Sequence, residues 1–138
     1  MRSIDIHAHI TPESCLDAMR HSLAAQQVAR RYQGYTPRGM WGPDEGLKDM
    51  DSLGVELHIL STHSFMYCYD GDAEAVAKMD RECNDYVHQL TMDHPTRFAG
   101  LANLPMQDVR ASVTELERSV TQLGLLIALL TPNFPNNT

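Results

Sequence analysis

Short strand-like segments alternate with helical stretches along this sequence, which predicts an α/β fold built on a parallel sheet. Three observations carry that prediction. Four segments, residues 4–9, 55–60, 98–104 and 125–130, are continuously apolar or alternate apolar with polar, and the stretches between them repeat apolar residues at helical spacing. Gly54, His94-Pro95 and Gly124 stand just before the second, third and fourth of these segments, where a helix stops. Polar residues gather at the ends of the first two, and in parallel α/β sheets sites form at the carboxyl ends of strands.

In the first segment Ile4, Ile6 and Ala8 alternate with Asp5, His7 and His9, the period of a strand, and Thr11-Pro12-Glu13 can open a helix. Residues i and i+2 of a strand share a face and lie roughly 6–7 Å apart, so two imidazoles can converge on one ion. That is half a metal site, because a catalytic zinc usually takes three protein ligands and a water. The plainer alternative is an ordinary strand surface. Residues 13–31 carry Leu16, Met19, Leu23 and Val28 at mostly helical spacing, and a helix is expected there. Residues 32–43 hold Gly34, Pro37, Gly39, Gly42 and Pro43 with Tyr35, Arg38, Met40 and Trp41, which reads as an aromatic loop. Such a loop is either a substrate wall or a surface excursion pinned by a buried Trp41.

Helical periodicity resumes over residues 44–53 through Leu47, Met50 and Leu53, and the second strand, 55–60, runs out into Ser61-Thr62-His63-Ser64. With parallel strands His63 would face the same side as His7 and His9; otherwise it is a solvated loop residue. The longest helix is expected over residues 72–93, with Asp72 or Gly71 as N-cap and Ala73, Val76, Met79, Cys83, Tyr86, Val87 and Leu90 on one stripe. The third strand follows at 98–104 and Pro105 stops it. Asp108 caps a further helix whose Val109, Val113, Leu116 and Val120 are expected to be buried and whose Glu115, Glu117 and Arg118 are expected to be solvated. The fourth strand is residues 125–130.

A chain of 138 residues suits one domain, residues 1–138, with a core of its own. Eleven Lys and Arg against 18 Asp and Glu give a net charge of −7, which leaves no electrostatic footprint for nucleic acid or an anionic membrane. Small molecules or other protein chains are the expected partners. Three cysteines without C-x-x-C spacing, and an N-terminus interrupted by Asp5 and two histidines, predict reduced thiols in the cytoplasm. The most apolar run, Leu125 to Leu130, is too short to span a bilayer.

Several blocks, taken together, resemble the metal-dependent decarboxylases of the amidohydrolase type, such as the aminocarboxymuconate-semialdehyde and γ-resorcylate decarboxylases. They are Ile4-Asp5-Ile6-His7-Ala8-His9, then Met50-Asp51-Ser52-Leu53-Gly54-Val55 leading to Leu60-Ser61-Thr62, then Asn84-Asp85. The last is His94-Pro95-Thr96-Arg97-Phe98-Ala99-Gly100-Leu101-Ala102-Asn103-Leu104-Pro105-Met106-Gln107.

That resemblance implies a distorted (β/α)8 barrel in which His7 and His9 bind one divalent ion, most simply zinc, with manganese as the alternative. It implies a small carboxylate substrate, with Arg38 as the basic residue that meets the carboxylate and Trp41 as the loop aromatic; His63, from its place at the exit of the second strand, is expected to line the substrate site or add to the metal. Members of that family draw further ligands and a catalytic histidine from strands five, six and eight, and such a barrel takes roughly 250 residues. The expectation is therefore the first half of a carboxy-lyase, truncated after strand four and silent or weakly active until completed, with no catalytic residue of its own. Two other readings stand beside it: a self-associating half-barrel without catalysis, and a metal-dependent hydrolase of the same superfamily. Either way a homo-oligomer is expected, because four strands leave open edges and an apolar inner face around Ile4, Ile6, Ile59, Leu101 and Ile127.

Overall fold

In a computed structural model the structure describes residues 3–12, 15, 30, 42–63 and 67–126. Three strands, β1 (Ile4–His9), β2 (Leu57–Ser61) and β3 (Phe98–Gly100), form a parallel sheet in the order β1-β2-β3. Helices α1 (Pro43–Leu53), α2 (Ala73–Asp93) and α3 (Val109–Thr121) complete the described elements. This is the expected α/β alternation. The fourth strand is marked by one parallel bridge, Leu101 to Leu126; residues 127–130 lie outside the described residues, as does nearly all of the helix expected over 13–31.

Local chemistry accounts for the boundaries. Pro43 and the acidic Asp44 and Glu45 occupy the first turn of α1, where a missing N–H costs nothing and negative charge meets the positive end of the helix dipole. Gly54 ends that helix at φ 69°, a left-handed conformation that glycine adopts without strain. The turn continues through Val55, whose N–H donates to Met50 O, so β2 starts two residues later than the apolar pattern suggested and runs one further, to Ser61. The Asp72 carboxylate caps α2 by accepting from Ala75 N. β3 is shorter than expected because the chain leaves the ladder after Leu101: the Asn103 N–H donates to Asn84 Oδ1 in α2, while Asn84 Nδ2 donates back to Asn103 O.

The main core fills the space between one face of the sheet and helices α1 and α2. Ala8, Leu60 and Phe98 meet Met50, Val87 and Leu90 there, each buried side chain of this size contributing about 1.5–3 kcal/mol. Gly100 lies where β3 passes under α2, so close that a Cβ would collide with Val87 Cγ1 and come within 2.8 Å of Leu125 Cδ2.

Strict alternation in β1 does not survive. Ile4 pairs with Leu57 and Asp5 with His58, but the next pairs are Ala8 with Leu60 and His9 with Ser61, so β1 holds one residue more than β2 over this stretch. Paired residues of parallel strands point to the same side, and Ile4 therefore shares a face with Ile59 and His9 instead of opposing the histidine. Ile6, 73% exposed, lies in the bulge. This opposite face is apolar and open: Ile4 is 52% exposed in β1, and Leu126, bridged to Leu101 at the other edge of the sheet, is exposed too.

Apart from Glu117, which is exposed as expected, the expectation for α3 is reversed. Val109 and Val113 are 75% and 61% exposed and Leu116 and Val120 are exposed with them, whereas Glu115 is 5% exposed and Ser112 and Ser119 are buried. The cause is the surface α2 offers, which is polar at this height. Glu115 accepts from Arg118 Nη2 at 2.6 Å and Nε at 2.9 Å and from Asn84 Nδ2 at 2.8 Å, and Arg118 Nη1 reaches Asp85 at 2.7 Å. A carboxylate so paired can be buried, while the valines stand outside both apolar clusters of the described residues.

The cysteines also depart from expectation. Cys15 and Cys83 are paired as a disulfide with Cα atoms 7.1 Å apart, because Cys83 stands on the inner stripe of α2 in a cluster with Val76, Met79 and Cys68. Cys68 is buried and stands outside that disulfide. No helix among the described residues is long and apolar enough to cross a membrane.

Candidate metal centre

The bulge delivers both histidines of β1 to the open face at the carboxyl end of the sheet. Asp5 Oδ1 accepts the main-chain N–H of His7 at 2.9 Å, which fixes the extra residue in place. The two Nε2 atoms then lie 3.2 Å apart, with the rings edge to face at 4.6 Å between centroids. Beyond the strand, His63 stacks on His9 at 4.3 Å, and its Nδ1 lies 3.4 Å from Thr11 Oγ1. Ser61 Oγ sits 3.1 Å from His9 Nδ1.

Burial lowers the pKa of His9, and His7 beside it lowers it further, against smaller opposing effects of the Ser61 and Thr62 main chain and of Asp5. Burial, helped by His9 and His7, brings His63 to about 4. These two rings are neutral at pH 7, the state in which imidazole is a ligand. Two nitrogens each about 2.0–2.1 Å from one ion, at an angle between square and tetrahedral, stand about 2.8–3.4 Å apart. The His7 and His9 pair has that separation, so the donor set fits a divalent ion. Among the described residues no group of three or more His, Cys, Asp or Glu is arranged to hold a metal.

A small cavity of about 240 Å³ reaches the pair and is lined also by Asp5, Asp49, His58 and Phe98. His58 Nε2 is 3.8 Å from Asp5 Oδ2, an ion pair only when the ring is protonated. His63 joins the site, as a stacking neighbour of His9. Arg38 and Trp41, expected on the loop before α1, lie outside the described residues.

Behind the site is a polar network that periodicity did not reveal. Thr62 Oγ1 donates to Asn103 Oδ1 at 2.6 Å, Asn103 Nδ2 donates to Asp80 Oδ1 at 3.3 Å, and Asn84 joins Asn103 to Glu115. Asn84 and Asn103 were visible as motif residues; the signal for their role was a polar residue at an inward position of an otherwise apolar stripe.

A parallel α/β sheet with an imidazole pair at the exit of its first strand defines the opening part of a (β/α)8 barrel with its site on the carboxyl-end face. The chain belongs to the amidohydrolase family, which it matches over residues 4–137. It is 27% identical over 136 residues to the 2-amino-3-carboxymuconate-6-semialdehyde decarboxylase of Dictyostelium discoideum, covering 88% of this chain and 38% of that protein. The crystal structure of 5-carboxyvanillate decarboxylase from Sphingomonas paucimobilis superposes with a TM-score of 0.79 at 32% identity, covering 96% of this chain and 44% of the other. The dihydroxybenzoic acid decarboxylase of a Polaromonas species, solved with bound manganese and the inhibitor 2-nitroresorcinol, gives 0.69 at 30% identity over 94% and 38%. The chain thus spans about two fifths of the length of these relatives.

Proposed function

We propose that this chain supplies the metal-binding start and one substrate wall of a metal-dependent carboxy-lyase, which removes carbon dioxide non-oxidatively from a small carboxylic acid. The observation that carries the reading is the 3.2 Å separation of His7 and His9 Nε2, which suits one divalent ion. Zinc is favoured by two imidazole donors, and the manganese bound in the Polaromonas relative supports that ion as the alternative. When bound, the ion would polarise and orient the oxygens of the acid. His63, neutral and stacked on His9, offers a flat wall for an unsaturated or aromatic acid, and Arg38 would pair with its carboxylate. In the reaction the carbon to carboxyl bond breaks, carbon dioxide leaves, and the electron pair left on carbon takes a proton. We infer that the acid delivering that proton, and the remaining ligands, come from the part of the barrel that the relatives possess and this chain does not span. Activity of the chain alone is then weak or nil.

Equilibrium dialysis with zinc or manganese tests the reading. About one ion per chain, bound no tighter than micromolar and lost in both His7→Ala and His9→Ala, is the expected result. No bound ion, or binding that both variants retain, would overturn it. A self-associating half-barrel is the second reading, favoured by the exposure of Ile4 and Ile6 on the open face, and a homo-oligomer is part of the proposal. So is a cytoplasmic setting, which fractionation of cells expressing the tagged chain checks.

A further inference from the structure

Ser61 ends β2 directly beside His9 in the sheet register and is 2% exposed. We propose that Ser61 is a positioning residue: its hydroxyl accepts from His9 Nδ1–H, fixing the tautomer that turns the bare Nε2 toward His7. The inference rests on the metal reading above for its purpose, though not for its geometry.

The hydroxyl has one proton and two neighbours. Its Oγ is 3.4 Å from Ala8 O and 3.1 Å from His9 Nδ1. A carbonyl can only accept, so the proton goes to Ala8 O, and Oγ is left to accept from the ring. Neutral imidazole carries a single N–H, so hydrogen on Nδ1 leaves a lone pair on Nε2, the atom 3.2 Å from its counterpart in His7. The main chain of Ser61 is itself held in register, because the Ile10 N–H donates to Ser61 O at 2.9 Å just past the last rung of the β1 and β2 ladder. Outer partners of ligating histidines act in this way, fixing ring orientation and tautomer.

The test uses the full chain, stripped of metal with a chelator and labelled with ¹⁵N-histidine, and reads the His9 tautomer from long-range ¹H–¹⁵N correlations at pH 7.5. His9→Ala assigns the signals, and zinc affinity is measured in parallel by competition titration. Wild type is expected to show His9 as the Nδ1–H form. Ser61→Ala should yield a mixture of tautomers and about tenfold or greater loss of zinc affinity, and Ser61→Thr should restore both. An Nε2–H form in wild type, or an unchanged tautomer in Ser61→Ala, would overturn the inference. Should wild type bind no zinc while Ser61→Ala still alters the tautomer, the metal reading fails and the role of Ser61 stands.

Discussion

Asp80 sits in the middle of α2 with no exposed surface, its Oδ2 without a hydrogen-bonding partner among the described residues. Burial pushes its carboxyl up to about 7; the bond from Asn103 works the other way, and Glu115 adds repulsion. An acid whose folded pKa exceeds its unfolded value binds more protons when folded, so its contribution is lost as pH rises from about 4 to 7 and stays lost above. Asp80→Asn keeps an acceptor for Asn103 and removes the buried charge. It should raise stability at pH 8 by up to roughly 4 kcal/mol, at 1.36 kcal/mol per pKa unit, and change it little at pH 4. Urea denaturation at the two pH values checks this, and an equal effect at both would refute it. Sequence periodicity found Val76, Met79, Cys83 and Val87 on the same stripe but passed over Asp80 and Asn84. Helical spacing tells which way a residue points and nothing about whether a partner waits there.

Among the elements, α2 was legible almost to the residue, because one long apolar stripe, an aspartate cap and a terminal His-Pro all agree. α3 was not, since it carries two stripes, one of valines and leucine and one of Ser112, Glu115 and Ser119. Which of them turns inward is decided by the polar residues of α2, a fact of tertiary structure. Removing one partner of such a buried pair costs more than the pair contributes, so Glu115→Ala should destabilise by about 3–5 kcal/mol. Gly100→Ala tests the crossing of β3 and α2. The added methyl has no room beside Val87 and Leu125, and a loss of about 1–3 kcal/mol in chemical denaturation is expected. A neutral result would mean that α2 can shift outward freely.

For the whole molecule, the open apolar face of the sheet is the dominant liability. β1 is an edge strand among the described residues, and its Ile4 and Ile6 are exposed. Covering such a face gains about 2.5 kcal/mol per 100 Å² before the entropy of association is subtracted. The net charge of −7 opposes this only weakly at physiological salt. Sedimentation velocity at micromolar concentration should show dimers or larger species, and Ile6→Lys should shift them toward monomer. A sharp wild-type monomer would contradict the expectation. The alternation of strands and helices made the architecture readable from the chain alone, and the histidine pair with it. The pairing of Cys15 with Cys83 was not readable, since it depends on how helices meet.

The bulge in β1 divides that strand into two stretches with different phase. Before it, Ile4 keeps step with Leu57; after it, His9 keeps step with Ser61; Ile6 and His7 belong to neither count. Because Asp5 holds the His7 N–H from the entering side, a change in the length or path of that segment reaches His7 while His9 stays in step with β2. The strand works as a slip joint that divides the pair, with His9 clamped to β2 and His7 carried on the entering side, so the spacing of the histidines registers what happens upstream of it.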